Sequence, residues 1–302
     1  MTEKKKLVIH GKNVPLSKPE KQLIPDGITK TDIVGYYRRI WRFAAPHVTD
    51  RPVVMQRFPD GIEEEGFYQK KTQEYYPDWI TTIEVDVKAH DARDRYVMCN
   101  NEETIAYLAN QGCITLHTWL SKKDDLEKPD RMAFDLDPSD DDFEKVRLAA
   151  FALKKLFDKA DIRSYPLVTG SKGLHVVVPL QPSSGFDEVR EAARAIAEKV
   201  ATNNKELFTT QTAKNKRGNR VFIDYLRNAY GQTTVMPYAL RAREKAPVAV
   251  PLDWNEVHDK ELHPQKYTMQ NILRRLSQKE DPWKNIYRHA VSPKKLSGLA
   301  KT

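Results

Sequence analysis

The segment Arg131-Met-Ala-Phe-Asp-Leu-Asp-Pro138 does most to restrict what this chain can become. Alternate side chains of a strand share a face, so Met132, Phe134 and Leu136 point one way and Ala133, Asp135 and Asp137 the other. Pro138 and Ser139 stop that strand and open a helix in which Phe143, Val146, Ala150, Leu153 and Phe157 form an apolar stripe at spacings of three and four. A sheet covered by helices follows. The carboxylates are the anomaly: their α-carbons lie roughly 6.5 Å apart, so the charges repel and one pKa rises unless a cation lies between them.

A divalent ion resolves that conflict. Oxygen-only ligands suit Mg²⁺ or Mn²⁺, and a pair of such ions about 4 Å apart can activate an attacking hydroxyl and stabilise a leaving pyrophosphate. Two acids do not cage two ions, and Asp224 in "VFIDYLR" is the third candidate, an acid in an apolar and aromatic strand where an unpaired carboxylate is costly. The alternatives are that each aspartate pairs with an arginine, Arg131 or Arg227, or that the DxD pattern serves a sugar-nucleotide or phosphatase site. Asp224 moves the balance toward a metal site.

The surrounding chain reads as mixed α/β. Thr29 or Thr31 caps a helix to about Ala45, stopped by Pro46. Within it Ile33, Tyr37, Ile40, Trp41 and Ala44 recur at helical spacing, so its aromatics face a core. "PVVMQRF" and "WITTIEVDV" are strands, the latter paired through the polar turn "KAHDARD" with "RYVMCN". Asn101 starts a helix ended by Gly112, "CITLHTW" is a strand, and Asp187 caps a helix whose inner face is Val189, Ala193, Ile196 and Val200. "SYPLVT" and "LHVVVPL" pair across "GSKG", "RVFIDYL" is a strand, and the proline-bearing "APVAVPLDW" is an edge segment. With 302 residues, 40% hydrophobic, there is enough apolar surface for a real core, and no break in composition marks a boundary, so residues 1–302 are expected to form one domain of two packed lobes.

Composition excludes some partners. No apolar run reaches the length of a membrane span, and two cysteines, Cys99 and Cys113, supply neither a disulfide framework nor a zinc site, which fits a soluble protein of the cytoplasm. Fifty Lys and Arg against 42 Asp and Glu give a charge of +8, which favours a polyanion. In "TGSKGLH", Gly170 and Gly173 allow a tight turn with exposed N–H groups, while Ser171, Lys172 and His175 add a hydroxyl, a charge and a ring. The spacing is not that of a Walker loop. His117 in "TLHTW" alternates away from Leu116, and Arg241 and Arg243 in "YALRARE" offer bidentate phosphate contacts.

These residues in this order resemble one family. From "LSKPEKQLIP" through "RMAFDLDP", "GSKGLHVVVPL" and "FIDYLRNAYGQTTVMPYALRARE" to "PVAVPLDW", the chain is similar to the polymerase domain of bacterial and archaeal ATP-dependent DNA ligase D, of the archaeo-eukaryotic primase superfamily. The resemblance implies an α/β (α+β) primase-like fold, with a central mixed or antiparallel sheet and an RRM-like catalytic core flanked by helices. It also implies a template-directed nucleotidyltransferase that fills gaps and 3′ overhangs at double-strand breaks in non-homologous end joining, with a preference for NTP over dNTP and for manganese. Carried over by position, Asp135, Asp137 and Asp224 are the ligands of two Mn²⁺ or Mg²⁺ ions. His117, Ser171, Lys172, Gln232 and Arg241 surround the nucleotide with His175 nearby, and Arg217 and Arg220 in "KNKRGNR" are phosphate candidates.

Within residues 1–30 a basic pocket of Lys21 and Lys30, with Lys18 where an asparagine is common, is implied to bind the 5′-phosphate across a gap. Phe67 and Tyr68 match an aromatic pair on the template, with Arg57 close by and Gln56 where a lysine can stand. The turn around residues 88–95 matches a loop that brings two ends together. The chain contains no KxDG ligase motif, so the resemblance implies a DNA ligase and the end-binding protein Ku as partners on DNA near the nucleoid. Two other readings share these residues: de novo priming, and a non-catalytic end-synapsis factor.

Overall fold

Capping chemistry fixes where the first long helix begins. In the computed structural model, which describes residues 5–87 and 92–299, a hairpin of β1 (Lys5–Ile9) and β2 (Lys12–Leu16) and a short pair, β3 (Gln22–Ile24) and β4 (Ile28–Thr29), lead into α1 (Lys30–Val48). Thr29 rather than Thr31 is the cap. Its hydroxyl accepts from the Asp32 amide while the Asp32 carboxylate accepts from the Thr29 amide, a reciprocal pair that satisfies two otherwise orphaned donors. The helix runs through Pro46, where a stop was expected. A proline in the last turn forfeits the bond its own nitrogen would make and crowds the carbonyl four residues back, yet the Thr49 amide still closes on the Ala45 carbonyl at 3.0 Å. Ile33, Tyr37, Ile40 and Ala44 are buried as their spacing requires, and Trp41 is half-buried.

The chain continues through β5 (Val53–Arg57), β6 (Phe67–Gln69), β7 (Thr82–Val87), β8 (Ala92–Val97), α2 (Glu102–Asn110) and β9 (Cys113–Trp119). Strand β5 lies between β9 and β6, antiparallel to both, and sets Val54 opposite His117 and Arg57 opposite Phe67. The expected hairpin is β7–β8, in register from Thr82 and Val97 to Val87 and Ala92, and its tip at 88–91 falls outside the described residues. Asn101 caps α2, and Gly112 at φ 78° follows it.

Next come β10 (Arg131–Asp137), α3 (Phe143–Lys159), β11 (Tyr165–Val168), β12 (Leu174–Pro179), α4 (Phe186–Asn203), β13 (Phe208–Thr209), β14 (Val221–Asp224), β15 (Thr233–Val235), β16 (Val250–Pro251), α5 (Trp254–Val257), α6 (Ile272–Gln278) and α7 (Pro293–Leu299). By its contacts the chain divides into two compact units. The first holds the chain up to Trp119 with Val235–Ala249 and Tyr267–Lys279; the second holds Leu120–Thr234, Val250–Lys266 and the chain from Glu280 onward.

The second unit is built on one sheet, ordered β13–β14–β10–β12–β11–β16, antiparallel except between β13 and β14. Met132, Phe134 and Leu136 are fully buried, and the Phe134 ring meets Phe157 of α3 at 5.9 Å, so the apolar face of β10 is the one the helices cover. Burying a side chain such as Phe134 stabilises the fold by about 2–3 kcal/mol. Val146, Ala150, Leu153 and Phe157 of α3, and Val189, Ala193, Ile196 and Val200 of α4, are buried as the sequence pattern predicts. Both caps differ from expectation. Asp142 caps α3 by accepting from the Glu144 amide, and Gly185 precedes α4 while Asp187 sits in its first turn, where its charge favours the positive end of the helix dipole. Among the described residues no helix is long and apolar enough to cross a membrane.

Candidate functional site

Register brings the acids together. On the sheet face opposite Phe134, Asp135 of β10 lies directly across from Asp224 of β14 on one side and His175 of β12 on the other. Asp137 is two residues along on the same face, and ligand oxygens of Asp135, Asp137 and Asp224 all lie within 4.8 Å of one another. Like charges directly opposite across an antiparallel pair destabilise it, so the row needs compensation. His175 supplies part of it, with Nε2 3.2 Å from an Asp135 carboxylate oxygen. Arg227 supplies more, its Nε standing 3.8 Å from Asp135 and 3.7 Å from Asp224. The pairing with arginine weighed from the sequence is therefore present at Arg227, as a shared counter-charge rather than as a separate partner for each acid. Arg131 donates to the Tyr287 hydroxyl at 2.5 Å.

The electrostatics still favour a cation. Burial, then the neighbouring Asp135, push the Asp137 carboxyl up to about 6, against the pull of His175 and Arg227. Burial also raises Asp224, although the Leu226 amide donates to its carboxylate at 2.7 Å. Three partly buried carboxylates with no soft ligand fit a hard divalent ion such as Mg²⁺ or Mn²⁺.

Two further residues hold the site in shape: Asn228, which the sequence reading left out, and Gly173, which it named only for the turn. Asn228, fully buried, uses its side-chain amide as a surrogate strand: its oxygen accepts from the Ala133 amide at 2.8 Å and its nitrogen donates to the Ala133 carbonyl at 2.7 Å. That clamp pins the turn after β14 to β10 and so fixes Arg227. Gly173 is the other. A β-carbon there would stand 2.2 Å from the Leu136 carbonyl oxygen and 3.7 Å from an Asp137 carboxylate oxygen, so only glycine lets the turn approach the acids. The turn pattern pointed to Gly173 as a hinge, but its approach to β10, like the clamp made by Asn228, depends on a neighbouring strand that no spacing in the sequence announces.

The turn itself differs from expectation. Gly170 has φ 68° as a tight turn requires, but the Ser171 and Gly173 amides both point to the Thr169 hydroxyl at 3.3 Å instead of outward. What the turn presents is the exposed Lys172 side chain, 3.5 Å from Asp141, with the Ser171 carbonyl held by Gln265 at 3.0 Å. Gln232 is exposed in the same unit. Arg217 and Arg220 are engaged with their own loop: Arg217 donates to the Gln211 and Thr212 carbonyls and lies over the Phe222 ring at 3.8 Å, and Arg220 donates to the Arg217 and Lys216 carbonyls.

The remaining candidates belong to the first unit. His117 is on β9, its ring edge-on to Tyr68 at 5.8 Å, and the Arg241 amide bonds the Pro247 carbonyl at 2.7 Å. Lys18, Lys21 and Lys30 are gathered at the start of α1, where the Lys21 amide bonds the Lys18 carbonyl and the Lys30 amide bonds the Lys21 carbonyl. Lys21 also pairs with Asp60. Lys30 is buried with its ammonium 3.4 Å from the Ser17 hydroxyl, and burial, then the charges of Lys21, Lys18 and Arg57, lower its pKa to about 8. Phe67 and Tyr68 are exposed on β6, whereas Arg57 is buried beneath Phe67, its guanidinium 5.4 Å from the ring centre.

The domain that carries these convergent carboxylates on one face of its sheet and helices on the other is a primase-polymerase domain. Residues 29–283 match the model of the family described as LigD, primase-polymerase domain. The chain is 32% identical over 272 residues to the multifunctional non-homologous end joining protein LigD of Mycolicibacterium smegmatis, covering 89% of this chain and 35% of that protein. It is 32% identical over 263 residues to the bifunctional non-homologous end joining protein LigD of Bacillus subtilis, covering 86% and 42%. Its structure matches the polymerase domain from Mycobacterium tuberculosis ligase D in complex with DNA, with a TM-score of 0.84 and 25% identity over 91% of this chain and 98% of that one. The chain belongs to the LigD primase-polymerase domain family, and it spans about a third to two fifths of the length of these two curated relatives.

Proposed function

We propose that this chain extends a primer 3′-hydroxyl on a DNA template, adding ribonucleotides in preference to deoxyribonucleotides, at gaps and overhangs of broken ends in non-homologous end joining. The observation that carries the reading is the row Asp224–Asp135–His175 across three adjacent strands with Asp137 on the same face. Asp135, Asp137 and Asp224 would hold a pair of Mn²⁺ or Mg²⁺ ions, which would lower the pKa of the attacking hydroxyl and oppose the charge of the triphosphate. His175 orients Asp135 through the 3.2 Å contact. Lys172, exposed on a turn held close to β10, is a cation for phosphates, and Ser171 and Gln232 are nucleotide contacts in the same unit.

In the first unit, Lys18, Lys21 and Lys30 form the pocket for a 5′-phosphate. A buried ammonium crowded by like charges gains most from an anion, and Lys30 is in that position. Phe67 and Tyr68 are the surface on which template bases stack. A DNA ligase and Ku, which the family resemblance implies, are the proposed partners, in keeping with relatives named for non-homologous end joining.

The test is single-nucleotide addition to gapped DNA bearing a 5′-phosphate, comparing NTP with dNTP and Mn²⁺ with Mg²⁺. Addition by the wild type, abolished in Asp135→Ala, Asp137→Ala and Asp224→Ala with DNA binding retained, is the expected result. A variant lacking one acid that still extends at the wild-type rate rejects the assignment. Incubation without primer separates primer extension from de novo priming, and bridging of DNA without incorporation would mark a synapsis factor.

A further inference from the structure

Arg57 is a buried cation held entirely by neutral groups. Its Nε donates to the Gln111 carbonyl at 2.9 Å and one terminal nitrogen donates to the Gln69 side-chain oxygen at 2.6 Å. Among the described residues no carboxylate makes an ion pair with it, an unusual condition for an arginine that is 9% exposed. Gln69 is equally buried, and its amide nitrogen is held in turn by the Lys71 carbonyl at 2.9 Å and the Tyr76 hydroxyl at 3.1 Å. Tyr76 is wedged between the rings of Tyr75 and Tyr107, at 5.3 and 5.2 Å. A continuous set of contacts thus runs from the aromatic cluster through Tyr76 and Gln69 to Arg57, and Arg57 lies against the exposed Phe67.

Strand geometry gives that set a direction. Gln69 is the last residue of β6, two along from Phe67, so the two start from the same side of the strand while Tyr68 starts from the other. β6 is a short edge strand, and register alone leaves the Phe67 ring free to swing. Gln69 removes that freedom indirectly, because it fixes the rotamer of the guanidinium on which the ring rests.

We propose that Gln69, held by Tyr76, is a positioning residue for the template strand: it locks Arg57 under Phe67 and thereby keeps the Phe67 ring, one half of the aromatic pair, in a single orientation. The inference rests on the proposed role of that pair. Gln69 has no contact with nucleic acid in this account and acts only through Arg57 and Phe67.

A double-mutant cycle tests it, read by equilibrium binding of duplex DNA with a single-stranded template overhang and by the fluorescence of 2-aminopurine at the first unpaired template position. Gln69→Leu should weaken overhang binding five- to tenfold and reverse most of the quenching, while blunt duplex binding stays within twofold. In a Phe67→Ala background the same change should cost less than twofold. Gln69→Glu, which retains an acceptor for Arg57, should restore quenching. Equal losses in both backgrounds, or no loss in either, overturn the proposal. If Gln69→Leu does not fold, Tyr76→Phe removes only the supporting hydroxyl and should cost two- to threefold with the same dependence on Phe67; an effect independent of Phe67 overturns the proposal as well. Should Phe67→Ala alone bind overhangs normally, it is the template surface that fails, and the cycle shows this separately.

Discussion

At the scale of single residues the acids are opposed by their surroundings, and that opposition is measurable. The Asp137 carboxyl is raised from the ordinary 3.8 to about 6, so the folded chain binds its proton more tightly than the unfolded chain does. The cost of ionising it is absent below about pH 4, grows between 4 and 6 and is complete above, on the order of 2–3 kcal/mol. Asp137→Asn should therefore be more stable than the wild type at pH 7.5 in the absence of divalent ions, and that advantage should vanish near pH 4. Adding Mn²⁺ at pH 7.5 should stabilise the wild type more than the variant. Thermal melts at the two pH values, with and without Mn²⁺, check the sign; a gap that does not change with pH contradicts the assignment. Gly173→Ala should abolish extension and cost stability, since its methyl group would meet the Leu136 carbonyl. Primer extension and a melt on that variant decide it, with wild-type activity as the adverse result. The acids were legible in the sequence because a charge in an alternating apolar strand stands out. Arg227 and Asn228 were not assigned to the site, because a buried asparagine that clamps a neighbouring strand looks like any turn residue until the strand is placed.

At the scale of elements the junction of β4 and α1 gathers the lysines of the proposed 5′-phosphate pocket. Lys30 is the first residue of α1, so the capping box that starts the helix also aims the buried ammonium. With its pKa lowered to about 8, Lys30 is charged below that pH and loses its charge as pH rises through it. The preference for gapped DNA with a 5′-phosphate over the same DNA without one should fall between pH 7 and 9, and a binding titration on the two substrates measures it. Lys21→Ala and Lys30→Ala should remove most of that preference while leaving binding to unphosphorylated DNA nearly unchanged. Equal losses on both would make these lysines part of a general basic surface. Lys18 carries φ 49°, a left-handed conformation that asparagine tolerates better, so Lys18→Asn should raise stability by a few tenths to about 1 kcal/mol in a denaturant melt. The helices were legible through their stripes, whereas their ends were not. Pro46 and Gly185 show why, since a local stop or cap signal competes with packing that is distant in the chain.

At the scale of the whole chain, the net charge of +8 said only that a polyanion was a reasonable partner, while the ordered motifs from 16 to 254 carried the family. The division into two compact units left no trace in composition, because the chain returns to the first unit twice after entering the second and each passage is short. Asp224 belongs to this scale, since it meets Asp135 only when β14 pairs with β10 across 89 positions of sequence. The most direct test of the account is a titration of Mn²⁺, followed by the EPR signal of the free ion, into the wild-type protein and Asp224→Asn. A wild type that binds the ion, with affinity at least tenfold weaker in the variant, is what a three-carboxylate centre predicts; identical binding by the two proteins would contradict it.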